Sequence, residues 1–322
     1  VELCWVCTDG ARMPTMPGPW FRGRLGSALR NIVCSTGLPT CDDCNRRPLC
    51  TYGAIWEPER RADLPPWLKA PPPPYVVQVE MVDADAPVAP GDRFGCRVHL
   101  FAHARSHVPA VIAAAVDGGR YGFGAEPAFH VKAELEYADV VAPSDQRQRL
   151  YEQGTGFSKI ARIPYWDLVE ACDDRDEAAN TDAPLAVWLL TPTSLPVGHR
   201  GVVRRFDPIA LTRTLIDRAA ALSAAWEGVT PGWNKDRYLD AATHTVVEDD
   251  ATFVRTSVHH SARGVSREQT GLLGGAVVSN VHPRLLALWQ LAQFIHVGRD
   301  AAYGFGRIAL GPPDALFANI ED

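Results

Sequence analysis

The tetrapeptide YGFG occurs twice in this chain, at Tyr121–Gly124 and at Tyr303–Gly306. HVPAVIAAAVDGG runs up to the first copy and AFHVKAELEY lies just beyond it. LLALWQLAQFIHVG runs up to the second copy and RIAL follows it. Apolar helix, glycine-rich loop, strand is therefore written twice. A chain that repeats a supersecondary unit folds as two related halves, so the rest of the sequence is read for a second and a first copy of one domain.

The first half opens with LCWVCT (Leu3–Thr8), which reads as a strand. PGPWFRGRLGSALRNIVC follows as a helix, with Pro19 near its start and Phe21, Leu25, Leu29 and Ile32/Val33 at helical spacing. Pro71–Pro74 form a stiff spacer before a strand at about Tyr75–Val82. Gly95–Ala102 is another strand, Val108–Val116 a short helix ending at Gly118-Gly119, and Phe129–Tyr137 a closing strand. Cys172–Pro184 is polar, acidic and without periodicity, and marks the boundary. The second half repeats the order. Leu185–Thr191 is a strand and Asp207–Trp226 a helix; His244–Glu248 and Thr252–Val258 read as a hairpin across Asp249-Asp250. A strand in LLGGAVVSNV, helix Pro283–Ile295 and strand Arg307–Leu310 complete it. Each half is β-α-β-β-α-β. The expected class is α+β, with two tandem ferredoxin-like (RRM/RAMP-like) domains, residues 1–172 and 185–322, joined by linker 173–184.

Inserted in the first domain is a cysteine-rich loop, 34–50. Cys34, Cys41, Cys44 and Cys50 are spaced C-x6-C-x2-C-x5-C. Four soft thiolates so close together suit structural zinc, which is the expectation; an iron–sulfur cluster and packed reduced thiols are the other readings. Four protein ligands leave no open position, so the role is to hold a loop rather than to catalyse. Cys4-x2-Cys7 has similar spacing, but residues i and i+3 of a strand face opposite sides. The clustering differs from the even spread of a secreted disulfide scaffold, and a reducing cytoplasm is the simplest setting. No apolar run approaches the ~18–20 residues of a membrane span, and no signal peptide is visible in a chain that starts at Val1. The net charge of −6 means that a nucleic-acid partner must be met by local basic patches. Only four of the 32 basic residues are lysine, and the arginines that dominate give the planar, bidentate phosphate contacts that lysine does not.

The glycine loop has two readings. It is either a tight helix-to-strand turn or a loop whose exposed amides approach phosphate oxygens, glycine allowing both the close approach and φ > 0. The dinucleotide fingerprint is rejected, because it needs strand, glycines, helix in that order. Of the loop aromatics, Phe123 and Phe305 read as core anchors, and Tyr121 and Tyr303 as possible stacking surfaces.

FRGRLGSALRNIVCSTGLPTCDDCNRRPLCTYGAIWEP, VWLLTPTSLPVGHRGVVRRFDPIALTRTLIDRAAALSAAWEG and GLLGGAVVSNVHPRLLALWQLAQFIHVGRDAAYGFGRIAL resemble the Cas6 family, CRISPR-associated endoribonucleases of the RAMP superfamily. The closing segment carries three quarters of the superfamily's G-h-G-x5-G-h-G loop: His296-Val297-Gly298, five residues, then Gly304-Phe305-Gly306. The resemblance implies an enzyme that binds CRISPR repeat RNA and cuts precursor crRNA without a catalytic metal. The ribose 2′-OH attacks, leaving a 2′,3′-cyclic phosphate and a 5′-OH. Other Cas proteins of an effector complex are further implied partners; a membrane is not. It also implies RNA contact at Gly298, Arg299, Gly304, Gly306 and Arg307, with Arg255, Arg263 and Arg267 as a second basic segment. Many family members carry a catalytic histidine just after the first helix. This chain has no histidine before His99. The candidates in its place are Arg22 and Arg30 on the first helix, His259 and His260 in VRTSVHHSARGVSR, and His296 at the mouth of the loop. Two further readings stand beside the nuclease: a non-catalytic crRNA-binding subunit of an effector complex, and a zinc-organised scaffold that binds protein only.

Overall fold

The computed structural model describes residues 1–59, 61, 63–83, 86–124, 130–142, 145–159, 183–198, 201–249, 251–260 and 265–313, with backbone alone at 249, 257–260 and 265–267. The chain divides into two compact units. The first takes in Val1–Trp166, Ala225–Glu227 and His259–Val265; the second takes in Asp167–Ala224, Gly228–Val258 and Ser266–Asp322. Most of the expected linker, 173–184, lies outside the described residues.

In the first unit the elements are β1 (Glu2–Cys7), β2 (Ala11–Met13), α1 (Gly18–Val33), β3 (Tyr75–Gln78), β4 (Ala86–Val88), β5 (Arg93–Leu100), α2 (Val108–Tyr121), β6 (Ala133–Val141), β7 (Arg147–Glu152) and β8 (Gly156–Phe157). The main sheet runs β3-β5-β1-β6-β7-β8, with β2 and β4 paired apart from it. Within it, β1, β3, β5 and β6 are the four strands of the βαββαβ unit, ordered second, third, first, fourth. Trp5 of β1 lies at the centre of the core, fully buried against Phe21 of α1, Phe94 of β5 and Phe123. The apolar positions Phe21, Leu25 and Leu29 are buried as their spacing predicts, whereas Ile32, grouped with them in the sequence, is 47% exposed.

Gly118 and Gly119 do not end α2, which runs on to Tyr121 and is capped by Gly122 at φ 86°. A Cβ on Gly119 would press into Trp5 (2.9 Å) and the Ala133 carbonyl (2.6 Å), so these glycines let the helix lie close on its sheet. The first YGFG copy is thus the helix end and one bridge, Phe123 pairing with Val131.

The second unit repeats the architecture with β9 (Leu185–Thr193), β10 (Pro196–Val197), β11 (Gly201–Val202), α3 (Pro208–Trp226), α4 (Lys235–Thr243), β12 (Val246–Asp249), β13 (Thr252–His260), β14 (Val265–Ser279), α5 (Pro283–Ile295) and β15 (Ile308–Gly311). Its sheet runs β12-β14-β9-β15, with β13 also on β14. The order is again second, third, first, fourth. The expected hairpin is replaced by this arrangement. The strands β12 and β13 exist, but both pair with the 15-residue β14, which is long enough to take them in turn. Asp207 starts α3 by accepting from the amides of Ile209 (2.8 Å) and Ala210 (3.1 Å). Leu211, Leu215, Ala219 and Leu222 of α3 are fully buried, as are Leu285, Leu288, Trp289 and Ile295 of α5. The indole of Trp289 donates to Thr212 Oγ1 at 3.2 Å and joins the two helices. Among the described residues no helix is long and apolar enough to cross a membrane.

Candidate functional site

The second glycine loop is built by α5, β15 and the end of β9. α5 stops because His296 takes φ 56°, and a single backbone bond, His296 N to Ala292 O (2.9 Å), closes the last turn. Arg218 of α3 donates to the Ile295 carbonyl at 2.7 Å and satisfies one of the free carbonyls of that helix end. Full burial lowers the Arg218 pKa to about 10.

Of the loop glycines expected to offer bare amides, Gly304 and Gly306 have theirs bonded within the chain. Gly304 N donates to Ala301 O (3.0 Å) and Gly306 N to Pro192 O (3.2 Å), while Gly306 O accepts from Val297 N (2.8 Å). Thr191, buried at the end of β9, donates through Oγ1 to Gly304 O at 2.9 Å, and the same oxygen accepts from Arg307 N at 2.9 Å. The glycines answer to packing and backbone shape. A Cβ on Gly298 would overlap the Ser194 carbonyl oxygen and one on Gly306 the Val297 carbonyl oxygen, with φ at 84° and 67°. Thr191 is the residue that sequence reasoning missed. Its only signal was a threonine in an otherwise apolar strand, and its partners lie more than a hundred positions away.

His296 is likewise inside rather than at a mouth. It is 0% exposed, and its Nδ1–H donates to Phe305 O at 3.1 Å, which leaves Nε2 as the unprotonated nitrogen. Nε2 has no hydrogen-bond partner among the described residues. Burial, with the charges of Arg218 and Arg307 adding to it, pushes its pKa down to about 3. A sealed imidazole cannot take a proton from an RNA hydroxyl, so the catalytic expectation for His296 is withdrawn; the residue positions the loop.

The outward face of the loop consists of exposed Arg299 and half-buried Tyr303 and Arg307, while Phe305 is core. Phe123 is core as well, and Tyr121 is exposed. On β13, Arg255 is exposed and pairs loosely with Glu268 at 3.9 Å, a solvent-screened contact. The backbones of His259, His260 and Arg267 lie in β13 and β14, their side chains outside the described residues; Arg263 lies wholly outside them.

In the first unit, Arg22 Nε donates to the hydroxyl of buried Tyr75 at 3.1 Å, and its guanidinium lies 5.9 Å from the Trp56 ring. Trp56 stacks on Tyr75 at 4.2 Å, under Gly26, whose missing side chain leaves room for the indole. Arg30 donates to Leu38 O. Both arginines are thus occupied in holding the segment after α1.

That segment contains the cysteines. Cys34, Cys41, Cys44 and Cys50 line one shallow cleft, together with Arg30, Arg46, Arg47 and Thr36. None is in a disulfide. Turn bonds run from Cys44 N to Cys41 O (3.3 Å), Arg47 N to Cys44 O (3.0 Å) and Cys50 N to Arg47 O (3.3 Å). Thr36 Oγ1 lies 3.7 Å from Cys34 Sγ and 3.6 Å from Cys44 Sγ. Among the described residues no three metal-ligating side chains stand drawn together in a coordination shell. Cys4 and Cys7 are elsewhere and buried in β1, their thiols directed to Glu136 (3.9 Å) and to the Asp9 carbonyl (2.6 Å).

Two family models match the chain. One, the AF_1859 N-terminal domain, covers residues 1–163. The other, CRISPR-associated endoribonuclease Cas6, covers residues 187–308 and so contains the glycine loop and both flanking arginines. Solved structures share the fold. A Cas6 product complex superposes with TM-score 0.54 at 15% identity, over 96% of this chain and 99% of that one. Thermus thermophilus Cas6 gives 0.50 at 13%, over 96% and 97%. A partial Cas6-RT-Cas1--Cas2 complex gives 0.54 at 11%, over 96% of this chain and 45% of that one. No curated protein matches the sequence.

Proposed function

The chain belongs to the CRISPR-associated endoribonuclease Cas6 family and processes precursor CRISPR RNA, and we propose that it does so by metal-independent attack of the ribose 2′-OH. In this reading a base takes the 2′-OH proton, the 2′-oxygen bonds to the adjacent phosphorus, and the bond to the 5′-oxygen breaks as an acid protonates it. A 2′,3′-cyclic phosphate and a 5′-OH remain. The observation that supports it is the match of residues 187–308 to the model of CRISPR-associated endoribonuclease Cas6, a span that includes the loop Gly298–Arg307. With His296 sealed, the proton-transfer role falls to His259 or His260 on β13. The side chains of Arg299 and Arg307 meet the phosphates, the amides of Gly304 and Gly306 being already bonded. Because similar folds occur in a complex with RT, Cas1 and Cas2 components, other Cas proteins are included as partners.

The test is cleavage of repeat RNA from the protein's own array in EDTA. A cyclic-phosphate product should form, and a 2′-deoxy nucleotide at the scissile position should abolish it. Alanine at the working histidine of the pair should cost roughly 10²–10⁴-fold in rate. Cutting that needs a divalent cation overturns the mechanism. RNA held but never cut would return the reading to a non-catalytic subunit.

A further inference from the structure

We propose that Cys34, Cys41, Cys44 and Cys50 hold one zinc ion that staples the segment after α1, independently of how RNA is cut. The segment needs a staple. From Asn31 to Thr51 not one residue is buried, and Leu49 is 92% exposed. A chain fixed without a core must offset about 1–2 kcal/mol of backbone entropy per residue by other means. Side-chain bonds from Arg30, on an open surface, and from half-buried Arg47 contribute, but neither brings an apolar core with it.

Zinc fits the donors and their surroundings. Four cysteines from one short segment face one cleft, two of them already straddling the Thr36 hydroxyl. Cys41 and Cys44 are brought round by a turn closed between their own backbones. Zinc with four thiolates carries a net charge of −2, and the cleft supplies three guanidinium groups, from Arg30, Arg46 and Arg47, to balance it. The staple ties the end of α1 at Cys34 to Cys50. Just beyond Cys50 lies the one-turn helix Tyr52–Trp56, whose Trp56 packs under Gly26 of α1.

The test is metal and acid-labile sulfide analysis of the full chain purified under reducing conditions, with Cys41→Ser/Cys44→Ser beside it. Expected are one zinc per chain, no stoichiometric sulfide, and loss of the zinc in the double variant. Should that variant fail to fold, cobalt titration of the chelator-stripped wild type keeps the question decidable. It should show thiolate charge-transfer and tetrahedral ligand-field bands that saturate at one equivalent. Iron with sulfide, zinc retained by the double variant, or the absence of both zinc and cobalt bands overturns the proposal.

Discussion

At Gly306 an added Cβ would overlap the Val297 carbonyl oxygen, on a backbone already at φ 67°. Gly306→Ala should therefore destabilise the chain by about 2–5 kcal/mol, strain and overpacking together, and lower its urea midpoint accordingly. Gly311→Ala, where nothing lies within 4 Å, should leave the midpoint unchanged and serves as control. His296 makes a pH prediction. Its folded pKa, about 3, lies below the unfolded value near 6.5, so the unfolded chain gains a proton that the folded one refuses. Stability should be full above about pH 6.5 and fall as pH drops toward 3, by up to about 1.4 kcal/mol per pH unit. Urea midpoints at pH 7 and pH 5 should separate in the wild type and converge in His296→Gln. The sequence shows a histidine at a helix end. It does not show that Phe305 O and Arg218 close over it, because those neighbours come from other elements.

The element that most rewards testing is the segment after α1. Arg22 bonds Tyr75 and lies over Trp56, a position that gives it a packing role. Arg22→Ala should lower the melting temperature and leave the rate of RNA cleavage within a few fold. A fall of a hundredfold or more in rate in a normally stable variant would restore the catalytic assignment. Gly26→Ala should displace the Trp56 indole, shift tryptophan emission and cost about 1–3 kcal/mol. Element positions were legible where periodicity is strong. Helix α5 begins and ends where Pro283 and the apolar spacing place it. The short polar helix α4 was missed, its only local signal being Asn234, whose side chain accepts from Arg237 N. The false hairpin at β12 and β13 had the alternation and the turn residues of a real one. What it lacked was any sign that β14 is long enough to pair with both.

For the molecule as a whole, RNA affinity should rest on side chains rather than on loop amides. Arg299→Ala with Arg307→Ala should weaken repeat-RNA binding at low salt and reduce the slope of log K against log salt by about 1–2, read by fluorescence anisotropy across a salt series. An unchanged slope would mean that the loop's outer face does not meet phosphate. By itself the sequence determined that one βαββαβ unit occurs twice, since helix and strand periods and the glycine motif are local patterns. Tertiary structure alone decided what the second motif does with its backbone. Pro192, Thr191 and Ser194 approach the loop from β9 and the turn after it, consuming the Gly304 carbonyl and the Gly306 amide and crowding Gly298. No spacing along the chain encodes which distant carbonyl or hydroxyl will arrive at a given amide, because that depends on how a whole sheet packs.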